Sequence, residues 1–410
     1  MTVGIERLAA YVPPWVLPIE ALADARGVAR EKARAGLGVE AMAVTPPCED
    51  VVTLAANAGA RLLRAAAVSP DDIGMLLVAT ETAVDHAKPV AILVHGLLGI
   101  RAQCRVFELK HACYAGTAAL MTAADWVRAG AARRRRALVI AADVARYPLR
   151  SPGELTQGAG AVAMLVGNDA AVLQLGAETG LHAADVWDFW RPLGHREALV
   201  DGKYSVDCYL AALDGAFGAY RPREWPELGP GEAFTDRVAH LLFHAPFPKM
   251  AMKAHRRLAT LDWQAARERW AAVAPRLDDA IAEAYAAQVA PGLEAVARIG
   301  NAYTASLYLC LAGLLEREGR RLGGRRLGLF SYGSGSCAEF FTGTVPGRAS
   351  EATDGGLGRL LAARTEIDVP AYERAFASAD AGGDPPAGFQ GDFVFTGVRA
   401  ERREYARVAR

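Results

Sequence analysis

Short, uninterrupted apolar runs alternate with amphipathic stretches along this chain. "IGMLLVAT" (73–80), "ALVIAADVA" (137–145) and "GAVAMLVGN" (160–168) have strand length and almost no polar alternation. That pattern fits strands covered on both faces. "TAALMTAADWVRAG" (117–130) predicts a helix that stops at Gly130. The order resumes with a strand in "AHLLFHAPF" (239–247). "PKMAMKAHRRLATL" (248–261) then predicts a helix with Pro248 in its first turn. An Ala-rich helical stretch covers about 263–290, and "TASLYLCLAGLLERE" (304–318) is a further apolar helix. "RRLGLFSYGSG" (325–335) reads as a strand entering a Gly-rich loop. The segment from about 170 to 235 is richer in Trp, Pro and acidic residues and predicts an insertion with long loops. The polar tail after Glu351 is Gly/Pro-rich at 380–388, then returns to strand and a charged end.

Strands alternating with helices predict an α/β protein. Both halves share an outline of strand, functional loop and helix. No sequence repeat survives, which leaves duplication open.

Length and composition narrow the possibilities. The 410 residues, 52% of them apolar, suit two packed halves with a substantial interior. Lys plus Arg equals Asp plus Glu at 46 each, so net charge points to neither nucleic acid nor an acidic membrane. The six cysteines form no CxxC pair, and no His cluster has zinc spacing. They read as reduced thiols of a cytoplasmic protein. Met1–Ala10 does not resemble a signal peptide, and no charge-free run is long enough to span a bilayer. "RRRR" (133–136) reads as a solvated turn between helix and strand, with an acidic-partner patch as the minority alternative.

The candidate chemistry sits at element ends. In "FELKHACYAGTAAL" (107–120), Cys113 stands at a strand-to-helix turn, where backbone N–H groups and the helix dipole favour a thiolate. The small residues after it would let a substrate approach the backbone. A buried structural cysteine is the alternative. "ATETAVDHAK" puts Glu81 just beyond a buried strand, either as a base or as a helix-terminal charge. "FHAPFPK" ends a strand with His244. "GNAYTAS" brings Asn301, Tyr303 and Ser306 to a helix start, where capping is the plain reading. "SYGSGS" offers Gly333 and Gly335, able to aim backbone donors at an oxyanion or simply to form a strand exit. Cys, Glu and His together form a set: thioester nucleophile, base and acid.

"ETAVDHAK", "ELKHACYAGTAAL", "VDGKYSVDCYLAAL", "FHAPFPKM", "GNAYTASLY" and "SYGSGSCAEFF" together resemble 3-hydroxy-3-methylglutaryl-CoA synthase, from about residue 3 to 345. Within that family, "CRVFELKHACYAGTAAL", "VHGLLGI" and "RREY" are most like the polyketide-associated members, which install β-branches on groups held by acyl carrier proteins. The resemblance implies a thiolase-like fold of two duplicated halves, 1–170 and 171–410, in a five-layer αβαβα arrangement. It also implies a homodimer. It places the nucleophile on Cys113, the general base on Glu81 and the acid on His244. Asn301 falls where the acceptor is held. Tyr114, Asp143, Tyr147, Asp188, Phe189, Tyr303 and Tyr332 fall where relatives shape the pocket, and Ser334 in the loop that holds the thioester oxygen. Ala115 stands where many eukaryotic relatives have glycine.

The implied reaction adds an acetyl or propionyl carbanion to a β-keto thioester through an acyl-Cys113 intermediate. Acyl-phosphopantetheine is the substrate carrier, on acyl carrier protein or CoA, and no metal or permanently bound cofactor is implied. Lys249, Lys253 and Arg256, after His244, are candidates for meeting acidic carrier proteins, with an ordinary solvated helix face as the alternative. Three alternatives accompany this reading: a mevalonate-pathway synthase using acetyl-CoA and acetoacetyl-CoA, a decarboxylating ketoacyl-synthase III type enzyme, and a non-catalytic carrier-binding scaffold. Glu81 weighs against decarboxylation, which makes its own carbanion, and the intact Cys–Glu–His set weighs against a scaffold.

Overall fold

The apolar runs become strands whose successive residues serve two different cores. A computed structural model describes residues 2–132 and 135–409. The first half contributes β1 (Gly4–Tyr11), β2 (Ile73–Ala79), β3 (Arg105–Leu109), β4 (Arg136–Val144) and β5 (Ala159–Gly167). On β2, Leu76 and Val78 pack into one apolar cluster, while Met75, Leu77 and Ala79 pack into another. Both faces are covered, which is why the run lacks polar alternation. The second half contributes β6 (Leu173–Ala183), β7 (His240–Phe243), β8 (Arg326–Gly333) and β9 (Cys337–Thr344).

Among the described residues these nine strands form one mixed sheet, ordered β7-β8-β9-β6-β1-β5-β4-β2-β3. β5 runs antiparallel between β1 and β4, and β2 lies parallel to β4. The second half repeats this plan. β9 runs antiparallel between β6 and β8, and β7 lies parallel to β8. The half-sheets join through a short antiparallel pairing of Gly4 with Gln174 and Ile5 with Leu173. Topology therefore shows the duplication that sequence identity no longer does.

Helices complete the layers. α1 (Val51–Ala66) and α2 (Val90–Leu98) cover the outer face of the first half-sheet. The Asp50 side chain accepts from Thr53 N–H while the Thr53 hydroxyl accepts from Asp50 N–H, a reciprocal cap that fixes where α1 begins. α3 (Ala115–Arg128) belongs to the core cluster on the inner face. α4 (Gly202–Glu224) lies on β6 and β9, and α5 (Pro248–Ala265) packs beside α4. α6 (Arg267–Val273), α7 (Leu277–Gln288) and α8 (Ala290–Ile299) lead to α9 (Ser306–Glu318). The Thr117 hydroxyl of α3 and the Tyr308 hydroxyl of α9 are 2.8 Å apart, joining the halves at their centre.

Several expectations need correction. The segment 170–235 is not an insertion of long loops, because it holds β6 and the 23-residue α4, core elements of the second half. A Cβ on Gly180 of β6 would lie 2.1 Å from the Ala216 carbonyl oxygen of α4. Glycine there allows close packing rather than a turn. The stretch 263–290 breaks near Ala266 and again around Pro275, giving α6 and α7. β9 was missed altogether. The terminal strand is a separate hairpin, residues 393–399 with 402–407.

Of "RRRR", Arg133 and Arg134 lie outside the described residues. Arg135 donates to the Gln103 carbonyl at 2.7 Å and Arg136 to the Glu6 carboxylate at 2.8 Å. No helix among the described residues is long and apolar enough to cross a membrane.

Thr117→Val tests the central contact. It leaves the buried Tyr308 hydroxyl without its partner, so unfolding free energy should fall by about 1–3 kcal/mol in chemical denaturation. An unchanged midpoint would show that this bond does not tie the halves together.

Candidate active site

The residues singled out from sequence collect at the carboxyl ends of the parallel strands. Glu81 lies two residues past β2 and His244 one residue past β7. These strands occupy equivalent places in the two halves, so base and acid candidates stand at duplicated positions. The turns before α3 and α9 correspond as well. Ala112 has φ +39° three residues before α3 starts, and Tyr303 has φ +42° three residues before α9. Left-handed backbone at non-glycine residues costs roughly 1–2 kcal/mol each and persists only where surroundings enforce it. At the first turn, a Cβ on Gly333 would lie 2.5 Å from the His111 carbonyl oxygen and 2.6 Å from Tyr114 N. At the second, a Cβ on Gly116 would lie 2.6 Å from the Thr304 carbonyl oxygen. Gly116 is therefore small for helix-to-turn packing, a different reason from substrate approach.

Asp143, fully buried on β4, ties these turns together. Its Oδ1 accepts from the Thr80 hydroxyl (2.8 Å), Glu81 N–H (2.9 Å), Thr82 N–H (2.9 Å) and the Thr82 hydroxyl (2.7 Å). Its Oδ2 accepts from Thr304 N–H (3.0 Å) and the Thr304 hydroxyl (2.5 Å). One carboxylate thus fixes the Glu81 backbone in the first half and the Tyr303–Thr304 turn in the second. Burial pushes its pKa up, and the hydroxyl donors pull it back.

The Cys113 thiol donates to Glu81 Oε1 at 3.4 Å. Burial first, and then the Glu81 and Asp143 charges, push the thiol pKa well above its ordinary value. These causes favour the neutral thiol, against the thiolate expected at a helix mouth. Glu81 is pushed up to about 8, chiefly by burial and then by Asp143, with Arg191 and the Cys113 hydrogen bond pulling it down. Such a carboxylate sits near the operating range of a general base.

His244 is also buried, with Nδ1 lacking a hydrogen-bond partner, and burial pushes its pKa down to about 3. It is a neutral imidazole near pH 7, able to donate an N–H hydrogen bond but not a stored imidazolium proton. Its backbone N–H donates to Phe330 O at 2.7 Å, and its carbonyl accepts from Tyr209 at 2.7 Å. The Tyr209 ring packs 5.0 Å from Tyr332, whose hydroxyl donates to Asp188 Oδ2 at 2.7 Å. Gly335 N–H donates to Asp188 Oδ1 at 3.0 Å, so that loop donor is already engaged.

Tyr147, Phe189 and Tyr303 form an aromatic group, with Phe189 ring centroids 6.1 Å from Tyr147 and 5.8 Å from Tyr303. Burial is the main cause that raises both tyrosine pKa values, with Glu81 adding to it. Asn301 Oδ1 accepts from Tyr303 N–H at 2.9 Å and from the Ser306 hydroxyl at 3.1 Å, an Asx-type turn ahead of α9 rather than a cap, since α9 has no side-chain cap. Tyr114 turns away to donate to Glu339 at 2.8 Å.

A cavity of about 730 Å³ is lined by Glu81, His111, Phe189, Arg191, Ser334 and Gly335, among others. Sequence reasoning missed Arg191, whose Nη2 lies 4.0 Å from Glu81 Oε2. Its position in "DFWRP", two residues after Phe189, was the available signal. His111 was also missed; its Nε2 is buried without a partner. On α5, Lys249 is half-buried and Lys253 exposed, while Arg256 pairs with Asp278 at 2.7 Å. Among the described residues all six cysteines are free, and no three His, Cys, Asp or Glu side chains are placed to hold a metal ion.

The thiolase-like fold and this strand-end site define an acyltransferase-type condensing enzyme. Family models described as hydroxymethylglutaryl-coenzyme A synthase N terminal and C terminal match residues 1–171 and 176–376. A hydroxymethylglutaryl-CoA synthase of Enterococcus faecalis is 39% identical, over 92% of each chain. The structure of MvaS in complex with 3-hydroxy-3-methylglutaryl coenzyme A is 45% identical with TM-score 0.94, over 99% of each chain. That of the curacin-pathway HMG synthase in complex with holo donor-ACP is 29% identical with TM-score 0.88, over 100% of each. The chain belongs to the hydroxymethylglutaryl-CoA synthase family.

Asp143→Asn tests the link between Asp143 and Glu81. The amide cannot accept on its nitrogen, so buried donors lose partners and stability should fall by at least about 1–3 kcal/mol. Removing the Asp143 charge also removes a cause that raises Glu81. The pH at which condensation reaches half its maximum should therefore move to lower pH, alongside a lower plateau. A pH–rate profile matching wild type would disprove the coupling.

Proposed function

We propose that this chain condenses acetyl-CoA with acetoacetyl-CoA to give 3-hydroxy-3-methylglutaryl-CoA. The observation that carries the chemistry is the 3.4 Å contact between the Cys113 thiol and Glu81. A decarboxylating enzyme would need no carboxylate there, and a scaffold would need neither group. Cys113 Sγ attacks the acetyl thioester, and the departing CoA thiolate takes up the thiol proton. Ionised Glu81 then removes a proton from the acetyl methyl group. Donors at Cys113 N–H and the Ser334 loop hold the enolate oxygen.

The enolate carbon attacks the ketone carbon of acetoacetyl-CoA. Neutral His244 donates a hydrogen bond to the developing alkoxide, and Glu81, now protonated, is the acid that supplies its proton. Asn301 and the Tyr147–Phe189–Tyr303 group shape the acceptor site. Water finally cleaves the Cys113 thioester and restores the thiol.

The choice of CoA rests on similarity. Relatives 39% and 45% identical are a CoA synthase and a synthase bound to an acyl-CoA, against 29% for the carrier-protein complex. This favours the mevalonate-type alternative over the polyketide reading of the motifs. Arg256, one of the three candidate docking cations, pairs with Asp278 at the surface.

Two experiments test the reading. Cys113→Ala should take up no acetyl group in intact-mass analysis. Glu81→Gln should still acetylate Cys113, yet lose acetyl-proton exchange and condensation by about 10²–10⁴-fold. Normal condensation by pre-acetylated Glu81→Gln protein would remove Glu81 from the base position. The second experiment compares acetoacetyl-CoA with acetoacetyl-carrier protein. The expected result is a kcat/KM at least about tenfold higher for CoA, a 1.4 kcal/mol preference. A preference for carrier protein that weakens with salt would restore the polyketide reading.

A further inference from the structure

We propose that Arg191 is the anion subsite that receives the carboxylate released when water cleaves the Cys113 thioester. This inference rests on the hydrolytic step of the proposed reaction. Water adds to the acyl carbon, the carbon–Sγ bond breaks, and sulfur leaves with a proton as the thiol. The other product is a carboxylic acid that ionises. A neutral thioester therefore becomes an anion where the site is already acidic. The thiol lies 3.4 Å from Glu81, and the charges of Asp143 and Asp188 also act on Cys113.

Arg191 is linked to that position through Glu81, which meets the Cys113 thiol with one carboxylate oxygen and faces Arg191 with the other. Its guanidinium is 4.0 Å from Glu81 Oε2, its side chain is 17% exposed, and it lines the cavity with Glu81, Ser334 and Gly335. Four ångströms is close enough for attraction but too long for a hydrogen bond, so its N–H groups are available to a third group. No other ion pair or hydrogen bond engages this side chain among the described residues.

The other cavity cations are engaged or exposed. Arg146 donates from Nη2 to the Phe376 carbonyl and stacks on the Phe376 ring at 3.8 Å, leaving its buried Nε without a partner. Arg196 pairs with Asp380, Arg403 pairs with Asp50 and Asp380, and Lys110 is exposed. The backbone also aims Arg191. Phe189 and Trp190 pair with Val200 and Leu199, Asp201 N–H donates to Asp188 O, and His195 N–H donates to Pro192 O.

The test uses full-length wild type, Arg191→Met and Arg191→Lys. First, 3-hydroxy-3-methylglutarate is titrated as a protectant of Cys113 against iodoacetamide. Wild type should be protected, Arg191→Met should need about 10- to 100-fold more dicarboxylate, and Arg191→Lys should fall between. Second, Arg191→Met should acetylate Cys113 at near the wild-type rate while kcat drops about 10- to 100-fold. Quenched samples should then hold the condensed adduct on Cys113.

Equal protection in wild type and Arg191→Met overturns the subsite, whatever the turnover. So does a loss of acetylation matching the loss of kcat, which would mean that Arg191 only maintains the site. If wild type makes no product from the two CoA substrates, the proposed reaction fails, and the protection measurement still decides the subsite.

Discussion

A single buried carboxylate sets the geometry on which the site depends. Asp143 has no solvent exposure, and an isolated charge there would cost several kcal/mol. Donors from Thr80, Glu81, Thr82 and Thr304 make it tolerable. Those donors come from turns far apart in sequence, so satisfying Asp143 forces the β2 exit and the α9 entrance together. The Glu81 backbone is held by the same oxygen that holds Thr80 and Thr82. Chemistry contributed by the first half is thereby aligned with chemistry contributed by the second.

Duplication explains how one architecture supplies two different proton-handling groups. The exits of β2 and β7 are equivalent, yet one carries Glu81 and the other His244. Burial favours the uncharged form of each, moving Glu81 to about 8 and His244 to about 3. Glu81 then needs only a modest free-energy input to ionise or to accept a proton near neutrality. His244 stays neutral and serves as a hydrogen-bond donor. The Cys113 thiol follows the same rule, with burial as the first cause that raises it. The Arg191 guanidinium, 4.0 Å from Glu81 Oε2, pulls Glu81 back down, which makes its loop part of the electrostatics of Glu81.

What the sequence by itself determined was the α/β class, the buried strands, the Pro248 helix start and the ordered motifs that mark Cys113, Glu81 and His244. Continuous apolar runs report two-sided burial directly, so β2, β4 and β5 were legible. β6 and α4 were not. β6 alternates buried and exposed positions and carries Gly176 and Gly180, local signals of a loop. Glycine at 180 is required only because α4 lies against it, a contact no local pattern records. The protonation state of Cys113 was likewise outside the sequence. Helix-terminal position argues for a thiolate, whereas burial beside Glu81 and Asp143 favours a thiol. Arg191 became part of the site only when the 189–201 segment folded back over Glu81. Motifs fix which groups are present, but charge balance, strain and close packing depend on distances between segments remote in the chain, and only the tertiary structure decides those.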